Sequence, residues 1–186
     1  MDIFAFAKDL KRALTKKPIP QNIKNEKDFE QRFVVRVAKH IAKNDKQILL
    51  FIHPWGSKTK CHPDCKTASL GTGNRQLGCP LCWRESKSWA SIAAFGTKHT
   101  FDMIVRDKQG QTLAVEIKMV RVHNGRMPNG ELQRMFGQCI IAASKHDVVI
   151  GICGFSGNLN SNFEQDTAKF RKWTEGLNIF TIFRKI

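Results

Sequence analysis

Tyrosine is absent from this chain, and its aromatic volume falls to 13 Phe and 4 Trp. No apolar run reaches the roughly 18–20 residues of a membrane-spanning helix, so no transmembrane helix and no membrane partner are expected. The opening residues, MDIFAFAKDLKRAL, carry charges throughout and lack the continuous apolar core of a secretory signal, which makes a cytoplasmic location the expectation. No internal repeat is visible, and 186 residues suit one domain with at most a small appendage. Acidic residues are scarce. Against 31 Lys and Arg stand 16 Asp and Glu, a formal net charge of +15. Such an excess bears on partners rather than on fold, and polyanions such as nucleic acid come ahead of an anionic membrane surface.

The 41% of hydrophobic residues is enough for a core. Apolar positions at Ile3, Phe6, Ala7, Leu10 and Leu14 form a helical stripe over 2–15. KKPIPQN then reads as a linker, because two closely spaced prolines cannot continue a helix. A second helix is expected over 25–43, with Asn25 as N-cap and Phe29, Phe33, Val37 and Ile41 on one face. Strands follow at 47–53, 100–106 and 112–120, then a basic loop, RVHNGRMPNG, a helix at 131–145 and a strand at 147–155. FEQDTAKFRKWTEGL reads as a last helix and NIFTIFRKI as a last strand. This order indicates an α/β layer fold with a mixed central sheet flanked by helices. The division is a helix and linker over 1–20 and a domain over 21–186 that carries an insertion at 57–88.

The stretch FDMIVRDKQGQTLAVEIK reads as a β-hairpin whose apolar strands are interrupted by Asp102, Glu116 and Lys118. Asp107-Lys-Gln-Gly110 suits a type I turn followed by a left-handed glycine, the three-residue hairpin loop. That loop sets Asp107 opposite Gln111 and, counting back, Asp102 opposite Glu116. Alternation brings Lys118 to the same face and sends Phe101, Met103, Val115, Ile117 and Met119 into the core. Like charges facing each other on a sheet are unfavourable unless a cation lies between them. Two carboxylates suit Mg²⁺ or Mn²⁺, leaving positions for water and phosphate, and a lysine beside them stabilises developing negative charge. The chemistry this points to is metal-assisted phosphodiester hydrolysis. The same triad on an exposed sheet face is also compatible with a plain surface ion cluster.

Asp, then Glu-x-Lys on an adjacent strand, following a helix and a strand, resembles the PD-(D/E)XK nuclease superfamily over about 130 residues. The resemblance implies a restriction-endonuclease-like αβββαβ core and a DNA endonuclease. It implies that Asp102 and Glu116 hold Mg²⁺ together with the Ile117 carbonyl, and that Lys118 positions or activates the water. It further implies Glu30 on the first helix, with Glu26 one turn earlier as the lesser match, and Gln138 in the helix after the Glu-x-Lys strand. The proline of the family name is replaced here by Phe101.

Residues 57–88 are rich in Gly, Lys, Ser and Cys and poor in core formers. Cys61, Cys65, Cys79 and Cys82 form C-x3-C-x13-C-x2-C, two close pairs that fit tetrahedral Zn²⁺. An iron–sulfur cluster also uses four cysteines, and His62 is an alternative to Cys61. A structural zinc would supply the folding energy that the missing apolar residues do not. Cys139 and Cys153 lie in apolar segments and read as core. Lys58, Lys60 and Arg75 in the insertion, with Arg121, His123 and Arg126 around the basic loop, are the expected nucleic-acid contacts. The alternative to an endonuclease is a catalytically inactive zinc-containing nucleic-acid-binding protein on the same scaffold. The 1–16 helix either packs on its own domain or mediates a homodimer.

Overall fold

The computed structural model describes residues 1–43, 45, 47–52, 91–94 and 97–186. The insertion at 57–88, with Lys58, Lys60, Arg75 and the cysteines at 61, 65, 79 and 82, lies outside the described residues.

Helix α1 (Ile3–Lys16) starts where Asp2 accepts the Ala5 N–H at 2.7 Å. Its five stripe residues are all at most 1% exposed, so this helix is part of the domain core. A linker leads to α2 (Glu26–Phe29), capped as expected by Asn25, whose side chain accepts the Asp28 N–H at 2.9 Å. The helix then widens into a π-turn segment (Glu30–Val34), in which the Val35 N–H reaches back five residues to the Glu30 carbonyl. It resumes as α3 (Val35–Ala42). The widened turn was not legible from periodicity. It rotates the following residues, so that Val34, Val35 and Ala38 join Phe29, Phe33 and Val37 inside.

Strand β1 (Leu49–Ile52) is followed among the described residues by a separate hairpin, β2 (Ser91–Ala94) and β3 (Thr97–Thr100). Next come β4 (Met103–Arg106), β5 (Thr112–Arg121), α4 (Asn129–Ala143), β6 (Val148–Ser156), α5 (Phe163–Glu175) and β7 (Ile179–Lys185). The strand expected over 100–106 is thus divided: Thr97–Thr100 pairs with β2, and the chain bends at Asp102 before entering the main sheet. That sheet has five strands in the order β1-β4-β5-β6-β7. β1, β4 and β5 run antiparallel, whereas β5, β6 and β7 are parallel.

Helices cover both faces. Leu113, Val115 and Ile117 of β5 pack with α1, α2 and α3 in one cluster. Ala114 and Val120 pack with Met135, Cys139 and Ala142 of α4 in the other. The result is an α/β three-layer arrangement around a mixed sheet, and both clusters are dry hydrocarbon cores. Cys139 and Cys153 are buried free thiols in the second cluster. Phe101 corrects the alternation expected for the hairpin. The bend turns its ring into the second cluster, edge-on to His146 at 5.6 Å, while Met103 lies in the first. No helix of the described residues is long and apolar enough to cross a membrane.

Candidate active site

The β4–β5 turn sets the site. Gly110 has φ +86°, the Gly110 N–H donates to the Asp107 carbonyl at 3.2 Å, and the Asp107 N–H donates to the Gln111 carbonyl at 3.1 Å. The ladder then runs Arg106 to Thr112 through Met103 to Val115, the register expected from the turn. Asp102 is the next residue out, outside the ladder but level with Glu116 by the same count. Because β4 begins only at Met103, the edge of β5 beyond Val115 has no strand partner on that side among the described residues.

Carboxylates occupy this open edge instead. Asp102 Oδ2 accepts the Ile117 N–H at 2.7 Å, and Glu26 Oε2 accepts the Met119 N–H at 3.0 Å. In an extended strand a residue's N–H and C=O leave on the same side, so the Ile117 carbonyl faces the edge that Asp102 occupies. Lys118 Nζ stands 3.4 Å from Glu26 Oε1 and 3.6 Å from Glu116 Oε1. Glu116 is only 2% exposed, and its Oε2 has no hydrogen-bond partner among the described residues. The Gln138 Oε1 on α4 is likewise buried and unpartnered. Glu30, 3% exposed, accepts a hydrogen bond from Gln31 Nε2 at 2.6 Å. The structure thus brings Asp102, Glu116 and Lys118 together, with Glu26 as the helix carboxylate in hydrogen-bond contact with Lys118. The sequence ranked Glu26 below Glu30. The two are one helical turn apart, and nothing in the sequence says which will reach a strand edge.

The electrostatics reflect crowding of like charge. Burial, and then the neighbouring Asp102, push Glu116 up to about 8, with Lys118 opposing the shift. Burial and Asp102 likewise push Glu30 up to about 7. For Lys118 burial acts downward, but Glu26, Glu116 and Asp102 together outweigh it and raise the value above the usual lysine range. Lys118 is therefore a fixed cation at neutral pH. It can orient a nucleophile or neutralise an oxyanion.

Among the described residues no three or more His, Cys, Asp or Glu side chains form a ready-made metal cluster. The donor set here is different in kind: two carboxylates and a backbone carbonyl, all hard oxygens. Mg²⁺ keeps much of its water and is commonly held by one or two carboxylates, so the set fits it. The orphan Glu116 Oε2 and the raised Glu116 are what a missing positive charge would produce.

The basic loop has more structure than its composition suggested. His123 and Arg126 exchange both backbone hydrogen bonds at 2.9 Å, and Asn124 and Gly125 between them have φ of +48° and +72°. This is a two-residue type I′ hairpin, and Asn-Gly is its standing sequence signal. His123 and Arg126 are exposed at the tip, and Arg121 is exposed at the end of β5. Comparison of the chain with family models, curated proteins and solved structures finds no match.

Proposed function

We propose that this chain is a Mg²⁺-dependent (or Mn²⁺-dependent) endonuclease acting on DNA, with a restriction-endonuclease-like core. The observation that carries the reading is the buried, half-unpartnered Glu116 set beside Asp102 and a charged Lys118 at an open strand edge. The element order from α2 onward supports it: helix, three antiparallel strands of the main sheet, helix, parallel strand. The net charge of +15 supports a polyanionic substrate.

Asp102, Glu116 and the Ile117 carbonyl would hold the ion, which when bound supplies acidification of water and neutralisation of phosphate charge. Lys118 directs a fixed positive charge at the attacking water and the phosphate oxygens. Glu26 holds that ammonium in place through Oε1 and ties down the Met119 N–H through Oε2, which fixes the strand that carries the site. Glu30 supplies a second, nearly neutral carboxyl on the same helix, able to hold a proton close to Asp102. Gln138 presents a free carbonyl oxygen from α4, a donor-seeking group that suits water or a nucleotide amino group. A structural Zn²⁺ on Cys61, Cys65, Cys79 and Cys82 is proposed from their spacing alone.

The test is a panel of duplex, single-stranded and branched DNA and of RNA, incubated with Mg²⁺, with products mapped to the nucleotide. Cleavage of any member that disappears in Asp102→Ala and Lys118→Ala, while binding persists, supports the reading. Tight binding without cleavage across the whole panel assigns the chain to the inactive nucleic-acid-binding alternative.

A further inference from the structure

Beyond the end of β5 the molecule has a cleft of about 570 Å³, between the linker at 19–24 and the carboxyl ends of β5, β6 and β7. Its floor is apolar, from Ile19, Pro20, Ile23, Met119 and Ile186. Its rim carries the exposed cations Lys24, Arg121 and Lys185, and the Ser156 hydroxyl, and no aspartate or glutamate lines it. Lys24 and Arg121 make no ion pair with a described residue, and Lys185 spends one hydrogen bond, at 2.6 Å, on the neutral Asn158 side chain. Against these three cations stands the α-carboxylate of Ile186, so the cleft keeps an excess of positive charge, which invites an anion.

The linker wall is held rigid, though it lacks regular structure. Arg184 donates to the carbonyls of Leu14, Thr15 and Lys17, pinning the linker where α1 ends. Arg32 donates to the carbonyls of Asn22 and Gln21 at 2.9 and 3.1 Å, pinning the far end. Asn22 sits at φ +61°, a conformation a non-glycine residue keeps only where its surroundings hold it. A cleft with preformed walls, an apolar floor and a few polar groups is the usual form of a small-ligand site, and its volume lies within the roughly 300–1,000 Å³ of such sites.

Its position says what the ligand is attached to. Met119 lines the cleft with its side chain and donates its N–H to Glu26, the carboxylate that holds Lys118. Alternation along β5 puts Met119 on the opposite face from Lys118, so the cleft lies across the β5 edge from the lysine, one residue further along the strand. We propose that it binds one nucleotide of the substrate strand, beyond the point where the strand crosses that edge from the scissile phosphate, with phosphate on Lys24, Arg121 and Lys185 and sugar and base over the Ile–Pro–Met floor. The volume suits one sugar–phosphate unit with its base rather than a length of duplex, so the strand enters it unpaired. The placement of the scissile phosphate rests on the nuclease reading; the ligand class does not.

The test measures binding without cleavage. A fluorescein-labelled single-stranded DNA oligonucleotide is titrated with the full chain in Ca²⁺, and anisotropy is followed across a salt series. Lys24→Gln and Arg121→Gln are each expected to weaken binding about 3–10-fold and to reduce the slope of log affinity against log salt by roughly 0.7, the value for one lost contact to a single strand. Lys169→Gln, an exposed cation on α5 that does not line the cleft, is expected to change neither. Unchanged slopes in the cleft variants, or an equal loss in Lys169→Gln, overturn the proposal. A deoxynucleoside monophosphate that binds as tightly as the oligonucleotide overturns the strand assignment in favour of a free nucleotide. Loss of binding in the cleft variants of a chain that cuts nothing defeats the nuclease reading and leaves the cleft. Cleavage dependent on Asp102 with unaffected cleft variants does the reverse.

Discussion

The Asp102 carboxylate closes on the Ile117 N–H at 2.7 Å, and so occupies the strand edge beside Glu116 without neutralising it. Two acids share one desolvated corner, and Glu116 bears the cost, being pushed up to about 8 by burial and by Asp102. A carboxyl whose folded value is raised stabilises the protein fully below its unfolded value near 4.5, and that contribution disappears as pH rises through about 8. In EDTA, thermal stability is expected to fall from about pH 4.5 to about 8 in wild type and to stay flatter in Glu116→Gln. At pH 8.5 the variant should be more stable by on the order of 2 kcal/mol, about 4–8 °C for a chain of this size. Added Mg²⁺ should raise the wild-type Tm and leave the variant nearly unmoved. Parallel melting curves would mean that Glu116 is not under this strain.

His146 carries the opposite dependence. It is 5% exposed, its Nδ1 lies 3.0 Å from Thr112 Oγ1, and its Nε2 has no partner among the described residues. Burial, and secondarily Lys145, lower it to about 4. The neutral ring stabilises the fold above its ordinary value near 6.5, and that stability is lost as pH falls from there towards 4. Urea midpoints taken from pH 7 to pH 4.5 should show an acid loss of roughly 2 kcal/mol in wild type relative to His146→Gln. A loss of equal size in the variant would assign it to other groups.

Asp107 joins the hairpin to the N-terminal helix. It is 3% exposed, and its two oxygens accept the Gln111 N–H at 2.9 Å and the Ile3 N–H at 3.1 Å. Asp107→Ala strands both donors and should cost about 2–3 kcal/mol in denaturant unfolding. Leu10→Ala, emptying a fully buried position in α1, should cost about 2–5 kcal/mol. Changes below 0.5 kcal/mol in both would show α1 to be dispensable to the core.

How far the sequence reached follows from which residues fix geometry locally. Asp107-Lys-Gln-Gly110 dictates its own turn, and a turn dictates register, so the positions of Asp102 and Glu116, five and six residues from its ends, were readable. The stripe in α1 and the Asn25 cap were readable for the same reason. The bend at Asp102 was not, because no local pattern marks it, and it reversed the expected direction of Phe101. The β2–β3 hairpin has little alternation to mark it. The type I′ turn at Asn124-Gly125 had a clear signal that the loop's basic character overshadowed. The pinned linker depends on Arg184 and Arg32, whose partners are distant carbonyls that no local pattern encodes.

Metal analysis bears on the insertion. The purified chain is expected to carry one Zn²⁺ bound by Cys61, Cys65, Cys79 and Cys82, and Cys79→Ser with Cys82→Ser should lose it. A full zinc complement in the double variant, or iron in place of zinc, would contradict the assignment.

The measurement closest to the central claim is nicking of a labelled DNA strand in Mg²⁺ by wild type, Asp102→Asn and Lys118→Met at equal concentration. Wild type is expected to cut in Mg²⁺ and not in EDTA. Each substitution should slow cutting by about 10²–10⁴-fold, the usual worth of a positioned acid–base or charge-stabilising group, with strand affinity within a few-fold of wild type. Cutting that survives both substitutions, or a wild type that binds every strand and cuts none, would contradict the assignment of Asp102, Glu116 and Lys118 as a hydrolytic site.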